Sequence, residues 1–143
     1  MKTLAGKFEH VIDPKGRFIM PAKLREGLGD SFTVTIGLDG CLYIYSDEGW
    51  EKFTQELATL PGKADDRRLK RAFMENAACC DIDKQGRVLI PETLRKKVGI
   101  DKEIILIGMI DKVELWSRER HEAQSNNEPI EDIVENLTEY IHF

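Results

Sequence analysis

One ten-residue pattern occurs twice in this chain, and no other feature restricts its fold as much. Ile12-Asp13-Pro14-Lys15-Gly16-Arg17-Phe18-Ile19-Met20-Pro21 returns seventy positions on as Ile82-Asp83-Lys84-Gln85-Gly86-Arg87-Val88-Leu89-Ile90-Pro91. The match runs on through Leu24-Arg25 and Leu94-Arg95 to Gly29 and Gly99, which marks an internal duplication. Asp at the first place of a turn and Gly at the fourth suit a type I turn closed by a left-handed residue. Pro14 fixes φ at the second place of the first copy. The flanking apolar runs, Val11-Ile12 with Phe18 to Met20 and Ile82 with Val88 to Ile90, are expected to be the arms of two β-hairpins. Arg17 and Arg87 then leave their turns at equivalent points.

The rest of the chain repeats the same plan. After the first hairpin, Lys7 to Ile12 with Arg17 to Met20, Pro21 sits where a first helical turn tolerates it, and Gly27 or Gly29 can end the short helix. Phe32 to Leu38 and Cys41 to Tyr45 are β-rich and separated by Asp39-Gly40, a strong two-residue hairpin signal. Ser46 can cap a helix carrying Trp50, Phe53, Leu57 and Leu60, Pro61-Gly62 breaks it, and a second helix is expected over Asp65 to Asn76. The second ββαββ unit follows, with its late strands at Glu103 to Met109 and Val113 to Trp116. A final helix should carry the stripe Ile130, Ile133, Val134, Leu137 and Ile141. The expected division is a first repeat at 1–48, linker helices at 49–76, a second repeat at 77–117 and a C-terminal helical tail at 118–143.

Composition limits the classes. With 143 residues, 41% hydrophobic and 33% charged, the chain can bury one compact core or two small fused ones. Met1 to Gly16 has no apolar run long enough for a signal peptide, and no window approaches the roughly 20 apolar residues of a membrane span, so a cytoplasmic protein without a membrane partner is expected. Cys41, Cys79 and Cys80 lack zinc-type spacing and read as reduced structural thiols. No cofactor or metal is expected. The net charge of −5 argues against a polyanion partner, yet both copies are locally basic, through Lys2, Lys7, Lys15, Arg17, Lys23 and Arg25 and through Lys84, Arg87, Arg95, Lys96, Lys97 and Lys102. The acids collect elsewhere, above all in Glu119 to Glu139. Local segregation is what a polyanion senses.

The paired motif Asp-x-x-Gly-Arg, three apolar residues, Pro and a following Arg, together with Gly108 and Val113-Glu114-Leu115-Trp116, resembles the MraZ family over nearly the whole chain. The resemblance implies an α+β fold, a tandem swapped-hairpin β-barrel of two AbrB-like ββαββ repeats with peripheral helices. It also implies a regulator of the bacterial division and cell-wall genes that binds short direct repeats in double-stranded promoter DNA as a homo-oligomeric ring, associated with the nucleoid. Carried over by residue, the DNA contacts are Asp13, Lys15, Gly16 and Arg17, with Asp83, Gly86 and Arg87. On physical grounds the Asp caps the turn or holds the Arg, the Arg fork reaches guanine or phosphate, and Lys7 and Lys15 are assigned to phosphate. Pro14 and Cys79 depart from the family pattern.

Other readings fit less well. Asp13-Arg17 and Asp83-Arg87 could be structural pairs that only hold their turns. As a carboxylate pair sharing a proton, Asp13 and Asp83 would form an aspartic-protease-like dyad, but an Arg four residues after each holds both ionised. The chain is therefore not read as an enzyme. A protein-binding module of antitoxin type, with the acidic tail as the binding segment, is the alternative.

Overall fold

A computed structural model describes residues 3–125, 128–137 and 139–142. Eight strands and six helices alternate in it as two passes of one pattern. The first pass is β1 (Leu4–Val11), β2 (Arg17–Ile19), α1 (Ala22–Leu28), β3 (Ser31–Ile36), β4 (Leu42–Ser46), α2 (Asp47–Ala58) and α3 (Ala64–Glu75). The second is β5 (Ala78–Asp81), β6 (Arg87–Leu89), α4 (Glu92–Lys97), β7 (Glu103–Ile110), β8 (Val113–Ser117), α5 (Arg118–Gln124) and α6 (Ile130–Val134). The fold is thus α+β with antiparallel strands.

Local chemistry explains most boundaries. Asp39 (φ 66°) and Gly40 (φ 92°) make the left-handed turn that joins β3 to β4. Ser46 Oγ accepts from Gly49 N at 3.0 Å to start α2, and Ser117 Oγ accepts from Arg120 N at 3.1 Å to start α5, so the duplication extends to its helix caps. Pro21 and Pro91 stand at the caps of α1 and α4, each accepting two amide hydrogens from the turn that follows.

Strand pairing departs from the local expectation. β1 does not pair with β2, nor β5 with β6; each first strand joins the other repeat, β1 along β7 and β5 along β3. The result is an open six-stranded sheet in the order β1-β7-β8-β4-β3-β5, with a separate two-stranded ribbon of β2 and β6. The two expected hairpins are therefore not formed, and the strands do not close into the expected barrel. A three-residue strand carries too little pattern to name its own partner. Burial chooses it: Phe18 and Val88 are directly opposed in the ribbon, and both are sealed in the core.

The central strand β4 is buried along its whole length because the sheet is covered on both faces. Leu42 and Ile44 point into a core shared by the two repeats, with Phe18, Leu24, Phe32, Val88, Ile90 and Leu94. Tyr43 and Tyr45 point the other way, under α2 and α3, where Tyr45 stacks on Phe53 with ring centres 5.0 Å apart and Phe53 meets Phe73 edge-on. Thr35 Oγ1 fixes α3 by donating to the Phe73 carbonyl at 2.7 Å. The helix expected over the C-terminal stripe is shorter than its apolar pattern, and Ile130, Leu137 and Ile141 remain exposed.

Because Phe18 fills a core built from both repeats, Phe18→Ala should lower stability by about 3 to 5 kcal/mol in urea titration. Fragments 1–46 and 76–117 expressed alone should each lack a cooperative thermal transition, while the whole chain melts once. Two independent fragment transitions would contradict a shared core.

Candidate nucleic-acid interface

Each repeated turn is organised by one carboxylate. Asp13 Oδ1 accepts from the backbone amides of Lys15 (3.0 Å) and Arg17 (2.9 Å), and Oδ2 accepts from Arg17 Nε at 2.8 Å. Asp83 repeats this with Gln85 N (2.9 Å), Arg87 N (2.9 Å) and Arg87 Nε (2.9 Å). Main-chain bonds complete both turns, Gly16 N to Asp13 O at 2.9 Å and Gly86 N to Asp83 O at 3.0 Å. Tip residues Pro14, Lys15, Lys84 and Gln85 are left exposed. The Arg17 amide is the main cause that holds the Asp13 carboxyl below its ordinary range; partial desolvation opposes it and the Arg17 guanidinium adds to it. Asp83 is lowered in the same way by the amide of Arg87, then against desolvation by its guanidinium. Both carboxylates are therefore ionised and committed to their turns.

The ribbon brings the two motifs onto one surface. In its register Arg17 faces Leu89, Phe18 faces Val88 and Ile19 faces Arg87. Ile90 N donates to Gly16 O at 2.9 Å and Met20 N to Gly86 O at 3.1 Å, so each turn is tied to the far end of the other repeat's strand. Side chains alternate across a strand, so with Phe18 and Val88 inward, Arg17, Ile19, Arg87 and Leu89 share the outer face. Arg17 and Arg87 are diagonal neighbours there, about 7 to 8 Å apart at Cα in such a ladder. Each arginine gives Nε to its aspartate, and among the described residues neither terminal Nη pair makes a hydrogen bond. Four of the five guanidinium donors thus stay available for an acceptor outside the chain.

A second arginine stands at each turn, and it belongs to the opposite repeat. Arg95 of α4 donates Nε to the Ile90 carbonyl at 2.9 Å and lies over Gly16, where an added Cβ would come within 2.5 Å of that Nε. Arg25 of α1 approaches Gly86 more loosely, its Nη1 4.0 Å from an added Cβ, and pairs with Asp30 at 2.9 Å. Local reading of the motif could not find this, because it places Arg25 and Arg95 beside their own turns. Its one sequence signal was the recurrence of Arg four residues after each Pro. Of the residues picked from the sequence, Asp13, Lys15, Gly16, Arg17, Asp83, Gly86 and Arg87 are brought together. Lys7 is not: it lies in β1, paired with Glu9 at 3.8 Å, and six residues of strand put it about 20 Å from Asp13. Lys2 lies outside the described residues.

Comparison with known proteins covers nearly the whole chain. A family model described as "MraZ protein, putative antitoxin-like" matches residues 3–72 and again 73–140. The "Transcriptional regulator MraZ" of Lachnoclostridium phytofermentans is 47% identical over 135 residues, 94% of this chain and 95% of that protein. Those of Thermoanaerobacter sp. (50% over 137 residues; 94% and 96%) and Heliobacterium modesticaldum (43% over 138 residues; 94% and 96%) carry the same name.

Two outcomes test the turn geometry. Since folding lowers the Asp13 and Asp83 pKa values, their stabilisation is complete above the unfolded value near 3.8 and is lost as pH falls through the folded values. The double variant Asp13→Asn, Asp83→Asn should therefore melt with a flatter acid limb than wild type, and parallel limbs would contradict this. Gly16 (φ 90°) and Gly86 (φ 78°) both sit in the left-handed region, so alanine at either should cost about 1 to 2 kcal/mol. Gly16→Ala should cost more because it also displaces Arg95, and adding Arg95→Ala should remove the difference; equal single-variant losses would contradict it.

Proposed function

The chain belongs to the MraZ family, and from that premise we propose that it is a DNA-binding transcriptional regulator that reads duplex DNA with the β2–β6 ribbon. The observation that carries this reading is the pair of outward arginines, Arg17 and Arg87, each fixed at Nε by its own aspartate and with its remaining donors unclaimed. A guanidinium held in that way can present its fork to guanine O6 and N7 or to phosphate without first being ordered. A two-stranded ribbon fits the width of a major groove. Asp13, Gly16, Asp83 and Gly86 hold the geometry, and Lys15, with Lys84 at the other tip, supplies phosphate contacts that position without specifying. Lys7 takes no part in this arrangement.

The exchange of β1 and β5 between repeats supports assignment of the fold to two AbrB-like units with swapped hairpins. Assembly into a homo-oligomeric ring is supported by the tail, where Ile130, Ile133, Leu137 and Ile141 are 68%, 43%, 41% and 49% exposed. Trp50 and Phe53 do not add to that argument, because Tyr45 and Phe73 of the same chain cover them. A ring would set successive ribbons on successive turns of DNA, so the operator should hold short direct repeats about 10 base pairs apart. This regulator acts in the cytoplasm, at the nucleoid. A second reading, a protein-binding role of antitoxin type, is favoured by one observation: the carboxylates of residues 128–143, Glu128, Glu131, Asp132, Glu135 and Glu139, account for the whole net charge of −5 beside an exposed apolar stripe.

Binding to the DNA upstream of the chain's own gene cluster, measured with competitor DNA, tests the main reading. Arg17→Ala and Arg87→Ala should each lower specific affinity by about 1 to 3 kcal/mol per engaged site and relax sequence preference, whereas Lys15→Ala should weaken all duplexes alike and flatten the salt slope. In a repeat-spacing series, affinity should peak near one helical turn. Equal binding at every spacing would remove the direct-repeat model, and arginine variants as selective as wild type would leave the Asp-Arg pairs as structural only.

A further inference from the structure

Two aliphatic side chains on the ribbon serve no purpose inside the fold. Ile19 is 57% and Leu89 54% exposed, while their strand neighbours Phe18 and Val88 are 2% and 0% exposed. They occupy equivalent places in the two repeats: Ile19 lies directly across the ladder from Arg87, and Leu89 across from Arg17. Each arginine thus has an aliphatic cross-strand partner with Cβ atoms about 4.5 to 5.5 Å away. Around these two apolar points stand Arg17, Arg87, Lys15 and Lys84, and the carboxylates of Asp13 and Asp83 are already engaged by their own turns. A complementary partner must be anionic and must also offer small apolar groups at intervals of about 7 to 8 Å, the ladder diagonal.

Duplex DNA meets both conditions in its major groove. Of all the base edges displayed there, only thymine presents an apolar group, the C5-methyl, and bases two steps apart along a strand are separated by about 7 Å. We propose that Ile19 and Leu89 are specificity-determining residues that recognise thymine methyls, each beside a guanine or phosphate held by the arginine across the ladder. The assignment rests on the ribbon being the DNA-reading surface and adds to it a determinant that hydrogen bonding cannot supply. Arginine reads acceptors, and the aliphatic pair reads the methyl that distinguishes thymine from cytosine and from uracil.

Deoxyuridine isolates this contact, because it removes the methyl and leaves every hydrogen-bonding group of the base in place. The full-length protein is first used to select a site from a random duplex pool, and each thymine of that site is then replaced singly by deoxyuridine. Wild type should lose about fourfold in affinity at one or more thymines, the equivalent of one methyl returned to water. For Ile19→Ala or Leu89→Ala the thymine-to-uracil affinity ratio at the matching position should fall to one. Both positions are more than half exposed, so thermal melts of these variants should overlay that of wild type.

Equal wild-type affinity for thymine and uracil at every position would overturn the proposal, as would an Ile19→Ala, Leu89→Ala double variant that still senses the methyl. Loss of oligomer mass in that double variant, with thymine discrimination intact, would overturn it in favour of a contact between copies of the chain. If selectivity is lost in Arg17→Ala while uracil has no effect in wild type, the ribbon reading survives and the aliphatic one does not. A pool that yields no selected site sinks both.

Discussion

The antiparallel pairing of β2 with β6 is the contact on which the other features depend. It is only three residues long in each strand, yet it opposes Phe18 to Val88 at the centre of the shared core and closes each turn through a bond to the other repeat's strand. Were each turn to head its own hairpin, Arg17 and Arg87 would belong to separate surfaces. Pairing across the repeats places them on one face and on one diagonal. The same crossing brings Arg95 to Gly16 and Arg25 to Gly86, so neither turn is built by one repeat alone.

Much of this was legible in the chain, and what was not has a local cause. The Asp-x-x-Gly-Arg turn could be read from residue chemistry alone, because Asp accepts nearby amides and Gly tolerates positive φ wherever the chain goes next. Ser46 and Asp39-Gly40 act within a few residues of themselves, and the structure keeps both signals, with Ser117 capping α5 as Ser46 caps α2. Strand partnership is decided elsewhere. The three-residue strands gave an inward-outward alternation but no partner, and the nearest apolar run in sequence, the β1 strand, is taken by β7. Lys7 stands apart from the turns for the same reason: closeness in sequence to Asp13 becomes distance along an extended strand. Ile19 and Leu89 sit at the middle of apolar runs, and the alternation turns their neighbours Phe18, Met20, Val88 and Ile90 inward and leaves the middle residue of each run outside.

Charge in this protein misleads when it is summed. The tail holds the whole negative excess, and the remainder of the chain is balanced, with its cations concentrated at the two turns and the helices behind them. Within each turn the aspartate partly cancels its arginine in number but not in function, since it binds Nε and leaves the fork outward. The two halves are not equal. Lys15 follows a rigid Pro14 at one tip, and Lys84 with Gln85 forms the other, so a nearly symmetric ribbon carries an inherent direction.

The central claim is that both motifs form a single DNA-reading surface, and hydrogen–deuterium exchange on the full-length protein tests it most directly. Peptides covering residues 12–20 and 82–90 are followed with and without a duplex carrying the selected site. The account predicts slower exchange in both segments together, with residues 4–10 unchanged. Protection of one segment without the other, or of neither while another surface is shielded, would contradict it.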